Sequence, residues 1–167
     1  MLAVLAVSTP ALTGCFDDAQ LAYDGPLQLE FAPQQSRSTE YIGSTYTGDN
    51  VRLGFYRRSV RANATAVTTD SVVVNLIGPQ QSVDIPITFT VDTEGTRTAV
   101  AGRDYNLIDQ GPVVLRANTS SVPIRFNILP DATASTAGDT LRFVLNGSDA
   151  AGVQVAPRYS RFKISLK

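Results

Sequence analysis

The sequence predicts an all-β protein, an antiparallel immunoglobulin-like β-sandwich of seven to eight strands behind a short signal segment. Three observations predict it. Apolar residues recur at every second position in several short runs, which places one strand face in a core and the other in water. Gly, Pro, Asn and Asp separate those runs at short intervals, as turns do. No window beyond residue 15 carries a sustained helical period.

The runs are taken in order. Residues 27–31 alternate Leu27, Leu29 and Phe31 with Gln28 and Glu30. Residues 32–49 are rich in Pro, Gln, Ser, Thr and Gly and read as a long loop holding Tyr41 and Tyr46. Val51, Leu53 and Phe55 mark a second strand over 51–56. Residues 71–77 contain Val72-Val73-Val74, apolar on both faces, which suits a central strand. Residues 83–91 place Val83, Ile85, Ile87, Phe89 and Val91 on one face; Pro86 cannot donate to a ladder, so this strand needs an edge or a bulge there. The octapeptide Thr-Ala-Val-Ala-Gly-Arg-Asp-Tyr at 98–105 reads as a shaped corner. Val113-Val114-Leu115, 122–129, 141–145 and 159–166 complete the set, with Phe126, Phe143 and Phe162 facing inward.

Composition removes whole classes of chemistry. The chain of 167 residues has no histidine and one cysteine, Cys15. A Ser-His-Asp triad, a Cys-His dyad, a zinc site built on His or several Cys and an intrachain disulfide all need residues it lacks. Carboxylate, Lys or Tyr chemistry and oxygen-ligated cation sites remain. The net charge of −1, with both signs scattered, argues against nucleic acid as a partner, because such binding needs a basic face. A carboxylate glycosidase needs two acids across a cleft, and none of the three glutamates, Glu30, Glu40 and Glu94, sits in a recognisable motif. The reading is therefore non-enzymatic, with no cofactor. Arg57, Arg58 and Arg61 form the one basic cluster, read as a solvated strand end or as a contact for an anionic glycan or lipid headgroup.

The first residues read as an address. An apolar run over 1–7 ending in small residues is a secretory signal, far shorter than the roughly 20 residues of a membrane-spanning helix. No Lys or Arg precedes it, as expected if the natural start lies upstream. Leu12-Thr13-Gly14-Cys15 resembles the bacterial lipoprotein box. The resemblance implies cleavage before Cys15, acylation of Cys15 and stable anchoring by several acyl chains. The expected organisation is a lipoprotein signal peptide over 1–14, a lipidated tether over 15–26 and a sandwich over 27–167, most strand-like over 70–167. The expected location is the outer membrane. Asp17 and Asp18 resemble the surface-export signal of Bacteroidota lipoproteins, or are a solvated tether.

The octapeptide at 98–105, the strand into Pro130-Asp131 and the closing Leu-x-Phe-x-Leu at 141–145 resemble the Calx-beta domain and a set of Bacteroidota lipoproteins of unknown function. Calx-beta domains include calcium binders with acidic residues at loop ends. The resemblance makes Asp104 and Asp131 candidate ligands for Ca2+. Only Asp139 lies near Asp131 in sequence, fewer carboxylates than a site of six to eight oxygens usually has. The other reading of Asp104 is architectural: a turn aspartate bonded to backbone, beside a Gly102 of unusual φ.

The resulting expectation is a membrane-anchored envelope lipoprotein that binds a glycan or a partner envelope protein, with Tyr41 and Tyr46 as candidate contacts. A structural module of an outer-membrane complex is the alternative. Such a module pairs through an exposed sheet edge, and Pro86 and Pro123 weigh against it by blunting edges against strand addition.

Overall fold

A computed structural model of the chain describes residues 23–32, 65–93, 97–130, 139–150 and 152–166, and the backbone of 40–46 and 52–60. Eleven strands form among them: β1 (Leu27–Phe31), β2 (Glu40–Tyr46), β3 (Arg52–Val60), β4 (Thr68–Ile77), β5 (Ile85–Asp92), β6 (Tyr105–Leu107), β7 (Val113–Leu115), β8 (Ser121–Ile128), β9 (Asp139–Gly147), β10 (Val153–Val155) and β11 (Arg161–Leu166). Eight of them run five residues or more, and β6, β7 and β10 have three each. One sheet has the order β10-β1-β4-β8-β6 and the other β2-β3-β11-β9-β5-β7. All pairs are antiparallel except β1 with β10 and β3 with β11.

Alternation builds the core. Leu29 and Phe31 on β1, Val72, Val74 and Leu76 on β4, and Ile124, Phe126 and Ile128 on β8 face inward from the first sheet. Ile85 and Ile87 on β5, Leu141, Phe143 and Leu145 on β9, and Phe162, Ile164 and Leu166 on β11 meet them from the second. The sheets touch through aromatic pairs. Phe31 meets Phe162 edge-on at 5.9 Å, and Phe126 meets Phe143 at 5.3 Å. Such pairs add to the area they bury. They hold the sheets together where a cystine bridge or a core tryptophan does so in antibody domains. The run over 71–77 is central as expected, because β4 is hydrogen-bonded to β1 on one side and β8 on the other.

Several strands fall outside the expected runs or end elsewhere: β3 runs on to Val60 and β11 begins only at Arg161. The segment 32–49 is not all loop: Glu40–Tyr46 pairs with β3, with an irregularity between Ile42 and Thr45. Its β-favouring Tyr41, Ile42, Thr45 and Tyr46 are interrupted by Gly43-Ser44, which hides the alternation. The stretch 146–157 holds β10, whose three residues are too short to show a period. The three-residue β6 likewise extends the end of the octapeptide corner. Val83 is 62% exposed and lies outside β5. Asp84 takes the Ala117 amide and the Arg116 guanidinium at 2.8 and 2.7 Å, and the strand starts after it. At Pro86 the prediction of an edge or bulge holds: β5 pairs with β9 only from Thr88 onward, and the register shifts between Thr88 and Phe89.

Phe143 is fully buried and contacts Phe89 and Phe126. Phe143→Ala is expected to cost about 3–5 kcal/mol, from lost transfer and a cavity. Urea unfolding followed by circular dichroism measures it, and an unchanged midpoint would remove this ring from the core.

Candidate functional site

The octapeptide corner carries the chain from the second sheet to the first. On its entry side the Ala99 amide donates to Thr140 O at 2.9 Å, and the Thr140 amide to Arg97 O at 2.8 Å. That clips it to β9. On its exit side Tyr105 opens β6, and the Leu129 amide donates to Asp104 O at 2.9 Å, tying it to the end of β8. Gly102 makes the turn with φ 82°, where a Cβ would meet open space, so conformation rather than crowding selects glycine.

Asp104 closes the corner. Its side chain is 4% exposed. The Val100 amide donates to Oδ2 at 2.7 Å, and Arg103 donates through Nε to Oδ1 at 2.8 Å and through Nη2 to Oδ2 at 2.6 Å. The same Nη2 donates to Asp139 Oδ2 at 2.6 Å. Burial alone would raise the Asp104 carboxyl; the Arg103 and Val100 donors outweigh it and hold the group below its usual range. Tyr105 beside it is buried, and its hydroxyl is pushed up by burial and by the Asp104 charge. The backbone bond expected of a turn aspartate is made, but to the amide four residues earlier in the chain.

A guanidinium thus lies between the carboxylates of Asp104 and Asp139, where it supplies their positive charge from within the chain. Among the described residues no cluster of three or more His, Cys, Asp or Glu is placed to hold a metal ion. Asp131 lies outside the described residues, as do Cys15 and Arg61. Tyr41 and Tyr46 fall on β2 and Arg57 and Arg58 on β3, where Glu40 is in register with Arg57 and Tyr41 with Tyr56. The candidate binding residues on β2 and β3 therefore share one edge of the second sheet, with β11 between β3 and the β9 strand to which the corner is attached.

Two further ion pairs flank the opposite edge. Asp109 accepts from Arg125 Nη2 at 2.9 Å, from Arg125 Nε at 3.1 Å and from the Arg125 amide at 2.7 Å. Those bonds, the Arg125 side chain foremost, lower the Asp109 carboxyl. Asp84 is lowered in the same way by the Ala117 amide and Arg116. Glu30 is the contrasting carboxyl, half-buried on the outer face of β1 and raised by burial. Between the Asp109 and Asp84 pairs lies a groove of about 470 Å3 lined from residues 108 to 125. Sequence reading missed it. The available signal was two apolar residues, Ile108 and Val114, exposed on either side of Gly111-Pro112.

With this geometry in view, the chain can be set beside known proteins. No protein-family model and no curated protein matches it by sequence. Its fold is similar to that of the apo-form Calx CBD1 domain, with a TM-score of 0.53 and 14% identity over 86% of this chain and 99% of that one. It is also similar to a protein of unknown function from Bacteroides ovatus, with a TM-score of 0.51 and 14% identity over 86% of this chain. The match spans 46% of that longer protein. The likeness is one of fold, and the fold is a Calx-beta-like β-sandwich.

The sign of the Asp104 shift fixes a pH dependence. A carboxyl lowered in the folded state stabilises fully above its unfolded value and loses that contribution as pH falls through the folded value. Asp104→Asn is expected to cost about 2 kcal/mol near neutral pH, the scale of a hydrogen bond to a charged group. The difference from the parent should shrink only once pH falls below the usual carboxylate range and through the lowered folded value, where the Asp104 carboxyl becomes uncharged like the amide. Urea unfolding near neutral pH and below that range checks this, and a pH-independent difference would reject the electrostatic account.

Proposed function

We propose that this protein is a lipid-anchored cell-envelope lipoprotein whose sandwich is a non-enzymatic binding or adhesion module for a glycan or a partner envelope protein. The observation that carries the non-enzymatic part is the state of the loop carboxylates. Asp84, Asp104 and Asp109 are each held by an arginine and a backbone amide. Carboxylates fixed in this way serve as struts rather than as an acid and base across a cleft. The fold likeness to a Bacteroides ovatus protein of unknown function fits the same reading. The anchor rests on the lipobox-like Leu12-Thr13-Gly14-Cys15. No helix among the described residues is long and apolar enough to cross a membrane. On this reading the outer membrane holds the protein through acyl chains, with Asp17 and Asp18 directing it to the surface or serving as tether.

The anchor is tested by metabolic labelling with palmitate in a bacterial host. The parent is expected to take the label into the membrane fraction, and Cys15→Ser to lose the label and leave that fraction. Label retained by the variant would reject the assignment. Glycan arrays and pull-down from envelope extracts then separate the two partner classes.

A weak calcium site at Asp104 and Asp131 is the second reading, favoured by the likeness to the Calx CBD1 fold. Arg103 between Asp104 and Asp139 weighs against it, because it already balances charge at that corner. The unfolding temperature is therefore expected to be the same in millimolar calcium and in chelator. A rise with calcium would turn the choice towards a metal.

A further inference from the structure

Charges that nearly cancel along the chain do not cancel on the second sheet. Phe162, Ile164 and Leu166 on β11 and Leu141, Phe143 and Leu145 on β9 set its inner face. The residues between them in each strand lie on the outer face. There Lys163 is in register with Arg142 on β9 and with Arg57 on β3, so cations of three neighbouring strands stand in one row. Arg161, exposed, is on the same face two residues earlier in β11. Arg58 is in register with Ile164 and belongs to the other face.

Acids border the row without balancing it. Asp92 on β5 is in register with Arg142, and their side chains approach to 4.0 Å. Glu40 on β2 is in register with Arg57. The strands β3, β11 and β9 place no acid on this face, since Asp139 is in register with Leu166 and bonds Arg103 at the corner. Among the residues these registers place, four cations against two acids leave an excess of two positive charges, however the acids are paired.

The excess has a shape. It is a strip three strands wide, about 10 Å from Arg57 to Arg142, with a carboxylate on each side. A plane of lipid headgroups would press on the acids as well as the cations. A single polymer chain laid along the strands meets the cations alone. The strip also changes character along its length. Arg161 is in register with Val144, and Ser165 with Ser59, so apolar and hydroxyl positions lie on either side of the cation row. The step from Arg161 to Lys163 is about 7 Å. An excess of two charges over that length matches a polymer with one charge per sugar rather than several.

We propose that the outer face of the second sheet binds a polyuronate, a polysaccharide carrying one carboxylate per sugar. Arg142, Arg161 and Lys163 hold its carboxylates, with Arg57 completing the row. This rests on the reading of the sandwich as a binding module and names both the glycan and the face.

Calorimetric titration with polygalacturonate, and with the same polymer methyl-esterified, tests it. The full chain carrying Cys15→Ser is used, so that acyl chains play no part. The acid polymer is expected to bind, and the uncharged ester to bind about tenfold more weakly or not at all. Arg142→Gln combined with Lys163→Gln is expected to weaken binding of the acid about tenfold, and Arg161→Gln to weaken it independently. Arg116→Gln, the loss of one positive charge just after the edge strand β7, should leave binding unchanged. Unfolding midpoints confirm that each variant is folded. The proposal is overturned if the acid polymer does not bind, if the ester binds as well, or if the folded strip variants bind like the chain with the strip intact. Tighter binding to phosphatidylglycerol vesicles than to the polymer also overturns it and makes the occupant a membrane. Should it fail, binding of a neutral glycan or an envelope protein by the same chain keeps the binding-module reading, and binding of neither ends both.

Discussion

The two sheets are joined at one corner by a buried carboxylate. Asp104 takes donors from the backbone of Val100 and from Arg103, and its own carbonyl takes the Leu129 amide. The turn, the end of β8 and, through Arg103 and Asp139, the start of β9 are thereby fixed to one residue, by its carboxylate and its backbone carbonyl. A buried charge is costly unless it is paired, and these donors supply the pairing. The core phenylalanines are non-directional by comparison. They draw the sheets together, while the corner helps set which edges lie side by side. That placement leaves β6 and β7 as neighbouring edges with an open groove between them.

Much of this fold can be read from alternation. β1 falls on the residues where Leu27, Leu29 and Phe31 mark it, and β4, β8, β9 and β11 keep their inward residues. The misses have local causes. At Val83 the period continues past the strand, because the neighbouring Asp84 captures the amide of Ala117 in the turn after β7, which no pattern of hydropathy encodes. β10 exists through its parallel pairing with β1, a long-range partner invisible in three residues of sequence. β2 is masked by Gly43-Ser44, and its pairing with β3 supplies what its own pattern lacks.

The site divides in the same way. Asp104 was legible as a turn residue and as a candidate ligand; the Arg103 guanidinium that lies against its carboxylate was not. The pairing of Arg103 with Asp139 depends on a β9 start 36 residues away, which spacing does not reveal. The groove is made of sequence-local residues, yet it exists only because β6 joins one sheet and β7 the other. Composition could name the two arginines; only topology brings them to one rim.

The parallel pairing of β11 with β3 has a consequence for how the protein is made. β11 lies between β3 and β9, inside the second sheet rather than at its edge. Until residues 161–166 leave the ribosome, β3 and β9 have no strand to join them, and Phe31 lacks Phe162 across the core. Non-local pairings of this kind form late and slowly. A nascent chain with that topology cannot complete its second sheet before residues 161–166 are available to it.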